Sequence, residues 1–121
     1  MTTERQVTPI GAQAAAALPL AELPAAIRRM ADEKHQLARE WANAFGNYKE
    51  RRRSLALYFH RDQNLGITAA EMQAEIDPNV IEAGEYSRSL RDQLQAFETA
   101  ERHLQQELDV KLALARINGA A

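Results

Sequence analysis

The chain has 121 residues, the size of one ordinary domain. With 45% apolar and 26% charged residues it has the composition of a folded globular protein, not a disordered one. Its formal net charge of −2 suggests neither a general nucleic-acid binder nor a polyacid, and zero cysteines exclude disulfides, thiolate zinc sites and cysteine nucleophiles.

Residues 1–21 read as a flexible or loosely docked N-terminal arm. Thr2, Thr3 and Thr8 precede Pro9 and Gly11, and Pro19 and Pro24 follow the alanines at 14–17. Proline removes a donor and biases its predecessor to extended geometry, so at most a helical turn or two fits around 12–18. The opening, Met1-Thr2-Thr3-Glu4-Arg5, does not resemble a signal peptide, and no apolar run approaches the ~20 residues that span a bilayer. No membrane and a cytoplasmic, reducing setting are therefore expected.

The remainder, 22–121, reads as one all-α domain with helices at about 24–63, 69–76 and 78–117. Pro24 suits a first helical position. Leu23, Ile27, Met30, Lys34, Leu37, Trp41, Ala44 and Tyr48 then recur at alternating steps of four and three, the heptad rule. The stripe continues as Arg52, Leu55 and Phe59 after one extra residue, and Phe45 widens it. Gly46 is tolerable inside the helix, and Gly66 suggests a left-handed stop.

Thr68 and Glu71 have the spacing of a capping box, opening a short helix with Met72 and Ile76 on one face. Whether that face packs down or projects is open. Asp77-Pro78 predicts a clean start to the second long helix. Its stripe is Val80, Ala83, Ser87, Leu90, Leu94, Phe97, Glu101, Leu104, Leu108 and Lys111, and Asn118-Gly119 suggests its end.

Two matched heptad helices with a short connector predict a long antiparallel helical hairpin. A lone helix pair buries little surface, and entropy nearly cancels the gain. The apolar stripe is also wider than one seam needs: Phe45, Leu57, Tyr58, Phe59, Leu112 and Leu114 cannot all face the partner helix. A homo-oligomeric bundle is the simplest outlet, with a protein partner as the other. Interface candidates are Trp41, Phe45, Tyr48, Tyr58 and Phe59.

The densest charge cluster is Lys49, Arg51, Arg52 and Arg53, extended by Arg61 and interleaved with aromatics. Such a face is a candidate for nucleic-acid contact. In a hairpin it would instead lie beside the acidic stretch from Asp62 to Glu85, where pairing would set the register. His103 with Glu107 lacks a third ligand for a metal, and Ser54, His60 and Asp62 lack an oxyanion hole. Neither a phosphate-cradling glycine loop nor a dinucleotide fingerprint is present. The expectation is a non-enzymatic chain with no cofactor and no catalytic or metal-binding residue, acting by protein contact. The alternatives are a nucleic-acid-binding accessory factor or an inhibitor of a host enzyme.

Residues 37–44, Tyr48-Lys49, 66–71, Asp77-Pro78, Glu85-Tyr86 and the helix through 90–116 also carry a resemblance. In this order they are similar to small helical-hairpin accessory proteins of bacteriophage and prophage genomes. The resemblance covers about two thirds of the chain. It implies a cytoplasmic phage accessory or structural factor with no catalytic residues to carry over.

Overall fold

The structure is a computed structural model that describes residues 7–120. Every regular element among them is helical: α1 is Ala12–Ala17, a 3₁₀ turn spans Leu20–Glu22, α2 is Leu23–Arg61, α3 is Ile67–Glu75 and α4 is Pro78–Ala120. No strand occurs among the described residues, and none of these helices is long and apolar enough to cross a membrane. The chain divides into two compact units, and α2 and α4 contribute to both. The first takes the described residues of Met1–Gln36 and Gln93–Ala121; the second is Leu37–Asp92.

The first unit is built on large side chains. Leu23, Ala26 and Met30 of α2 and Phe97, Ala100 and Leu104 of α4 are buried, each trio spaced three then four. That spacing stacks them on one helix face. One charged pair interrupts the stripe: Lys34 Nζ lies 2.8 Å from Glu101 Oε2, with both side chains nearly three-quarters covered. An ion pair at a seam position contributes little net stability but disfavours other registers, where each charge would be left alone. The described part of the arm is docked here. Ala15 is fully buried, and Lys111 Nζ donates to the carbonyls of Ala16 (2.8 Å) and Leu18. The ammonium thereby satisfies carbonyls at the α1 end that lack helical partners. Residues 1–6 of the arm lie outside the described residues.

The second unit is built on smaller side chains. Leu37, Val80 and Leu90 are buried together with Ala70, Ala74 and Ser87. Asp77 caps α4 as its sequence predicts. Its Oδ1 accepts from the N–H groups of Asn79 (2.9 Å) and Val80 (3.3 Å), and Pro78 fills the first position, where no donor is needed. Gly84 lies beneath Tyr48, where an added Cβ would meet the ring's Cε1 at 3.1 Å.

Three local expectations are corrected. The left-handed residue after α2 is Asn64 (φ 59°), not Gly66, which has φ −62° and precedes α3. Asn tolerates this region better than other side-chain-bearing residues. The exit is fastened by Leu65 N–H to the Phe59 carbonyl (3.1 Å) and by His60 Nδ1 to the Leu65 carbonyl (2.8 Å). A carbonyl only accepts, so Nδ1 carries the proton. Second, Thr68 does not cap α3. The helix begins at Ile67 after Gly66, without a side-chain cap, and the Ala70 N–H closes its first turn on the Gly66 carbonyl (2.8 Å). Third, Asn118-Gly119 does not end α4, which continues through Ala120 with no glycine at positive φ.

Candidate functional site

Along one face of α2 in the second unit, Trp41, Phe45 and Tyr48 form a ladder of rings. Trp41 and Phe45 stack with centroids 5.4 Å apart and planes 14° apart, and Phe45 and Tyr48 are 6.2 Å apart and tilted. Steps of four and three place such rings one above another on a helix. Two cations sit on the ladder: Lys49 Nζ is 5.0 Å from the Phe45 centroid and the Arg52 guanidinium 5.3 Å from that of Tyr48. Arg52 also reaches the Tyr48 hydroxyl (3.5 Å) and Glu75 (4.0 Å). The ladder borders a shallow groove of about 150 Å³ whose α4 wall carries Gly84, Ser87, Arg88 and Arg91.

The basic run does not form one face. Successive helical residues are about 100° apart, so Arg51, Arg52 and Arg53 point in different directions. Arg52 and Arg53, with Lys49 and His60, line an open groove of about 720 Å³ facing Glu71 and Glu75 of α3. Arg51 lines a different groove, of about 440 Å³, beside Glu40, Glu82 and Tyr86. Arg61, at the end of α2, is exposed and borders none of these three grooves. Of the expected pairing of basic and acidic blocks, the structure places the long Arg52–Glu75 contact. Both of its side chains are substantially exposed, so it adds little stability.

The interface candidates separate likewise. Phe45 and Tyr58 are exposed, whereas Trp41, Tyr48 and Phe59 are half-buried. Phe59 tilts against Tyr58 at 5.5 Å, and Gln63 donates to the Tyr58 hydroxyl (3.2 Å). On α3 the inward face is Ala70 and Ala74, while Ile67, Met72 and, just past the helix end, Ile76 project at 63–64% exposure. Periodicity alone cannot make that choice, because two alanines and two larger residues both repeat every four positions. Arg88 and Arg91 escaped the sequence reading as well. The available signal was their place on the same turns as Gly84 and Ser87, opposite an aromatic stripe.

Catalytic geometry is not assembled by the residues that came nearest to it in sequence. Ser54 Oγ donates to Glu50 (3.4 Å) and His60 is engaged by the Leu65 carbonyl, so no relay links Ser54, His60 and Asp62. Among the described residues, no group of three His, Asp or Glu side chains is placed to hold a metal. What the second unit offers is ring faces, guanidinium, ammonium and carboxylate groups, and bare aliphatic side chains. No protein-family model, curated protein or solved structure matches this chain.

Proposed function

We propose that the protein is a non-enzymatic interaction module: a long antiparallel helical hairpin that self-associates into a helical bundle. Contacts in reversed chain order support the hairpin, with Lys34 meeting Glu101 in the first unit and Tyr48 covering Gly84 in the second. The observation that carries self-association is the balance of large apolar side chains among the described residues. Seven larger than alanine are buried, while twelve are exposed, from Phe45 to Ile117. Scattered exposed apolar residues are ordinary, but Ile67 and Met72 project from one nine-residue helix and Ile76 from the residue that caps its end. Burying them against a second copy recovers about 25 cal/mol per Å² that the single chain forgoes. Closed symmetry is the usual form of such assembly. The resemblance to phage helical-hairpin proteins supports a cytoplasmic accessory or structural role.

The test is light scattering on the full chain over a wide concentration range, for wild type and for the Met72→Glu/Ile76→Glu double variant. Wild type is expected to be a dimer or larger. The variant should shift toward monomer with its helical circular dichroism intact, since both side chains already face solvent. A strictly monomeric wild type, or a variant that assembles unchanged, refutes self-association through α3.

A further inference from the structure

We propose that the groove between the aromatic ladder and the Arg88–Arg91 wall binds single-stranded nucleic acid. The groove does not include Ile67, Met72 or Ile76, on which the self-association test rests.

Charge is the first ground. Asp and Glu outnumber Lys and Arg by 17 to 15 in the whole chain, yet no acidic residue lines this groove. Arg88 and Arg91 form its far wall, and Lys49 sits on the Phe45 ring; Arg52, over Tyr48, is shared with Glu75 of the neighbouring groove. A cluster of cations in an otherwise acidic chain raises the local concentration of a polyanion. The 720 Å³ groove on α2 lacks this character, because Glu71 and Glu75 line it too.

Ring geometry is the second ground, and it selects a nucleic acid over an acidic peptide. Trp41 already stacks nearly parallel on Phe45, which is how a base would stack, and Phe45 is exposed. Lys49 occupies the Phe45 ring through an exposed cation–π contact, the weak kind. Its ammonium can leave the ring for a phosphate while a base takes its place. Arg88 and Arg91, one turn apart and exposed, present guanidinium forks suited to the phosphates on either side. An acidic peptide would use the cations and leave the ring faces unused. A duplex hides its base faces within the stack, so single strands are favoured.

Trp41 is the chain's one tryptophan, so its fluorescence reports on the groove directly. The full chain is titrated with a short oligothymidylate, the same length of duplex DNA, and polyglutamate, at low and raised salt. Quenching by the single strand is expected, with a log–log salt slope of about −2, since Lys49, Arg88 and Arg91 contribute roughly 0.7 each while Arg52 is held by Glu75. Arg88→Gln/Arg91→Gln should weaken binding at least tenfold and flatten that slope. Phe45→Leu should weaken it severalfold with the slope unchanged. Arg28→Gln/Arg29→Gln, exposed in the first unit, should bind as wild type, and thermal melting confirms that each variant is folded. No quenching at low salt overturns the proposal. So does equal binding of polyglutamate, an unaffected Phe45→Leu variant, or an equal loss in the Arg28/Arg29 control.

Discussion

The two compact units use the same two long helices for different ends. In the first, Phe97, Leu23, Met30 and Leu104 are fully buried or nearly so, and a lysine fastens α1 by its terminal carbonyls. In the second, Leu37 is the one comparably buried large side chain, alanines and a serine fill inward positions, and the large rings stand at the rim. Filling an interior with large side chains stabilises it. Filling it with small ones leaves aromatic and cationic groups on the surface, where they can meet something else. The larger buried side chains are thus concentrated in the first unit, and the proposed recognition chemistry lies in the second.

The sharpest way to break this contrast is a pair of phenylalanine truncations. Phe97→Ala should cost about 3–5 kcal/mol in urea denaturation, because it leaves a cavity in a packed interior. Phe45→Ala should cost about 1 kcal/mol or less, since that ring is exposed. Equal losses would mean that the second unit is held together by its rim.

A smaller effect tests the fastening of the arm. Lys111→Met keeps the aliphatic stem and loses both carbonyl bonds, and should cost about 1 kcal/mol. Hydrogen exchange at residues 12–17 should rise while exchange at Phe97 stays slow. Uniform acceleration along the chain would show that α1 is integral to the first unit and not a fastened attachment.

The smallest expected effects come from two glycines of the second unit. Gly46 has open space around a would-be Cβ, so Gly46→Ala should stabilise by about 0.5–1 kcal/mol. Gly84→Ala gains the same helix propensity but drives a Cβ to 3.1 Å from the Tyr48 ring, so its net gain should be smaller or reversed. Thermal melts of the two variants give the comparison. If Gly84→Ala stabilises as much as Gly46→Ala, the ring moves freely and the ladder is not held in place by α4.

Much of the helical pattern was legible in the residues. Each position of the predicted stripes, from Leu23 to Tyr48 and from Val80 to Lys111, is buried or half-buried. The charged members Lys34 and Glu101 are included, and they meet each other. Asp77-Pro78 marked a helix start to the residue, because a cap and a proline act through their nearest neighbours alone. Terminations were less legible. Asn64 took the left-handed position expected of Gly66, and Gly119 stayed helical, since the exit from a helix depends on which carbonyls find partners further along.

Local periodicity and caps, encoded within a turn or two of each residue, therefore determined that the chain is helical, where its long helices begin, and which stripe of each turns inward. Only the tertiary structure decided that Met72 and Ile76 project while Ala70 and Ala74 turn in, that the run from Arg51 to Arg53 is divided between grooves, and that Arg88 and Arg91 stand beside the aromatic ladder. Those outcomes depend on which surface of one helix lies nearest another, a distance set by side chains far apart in the chain.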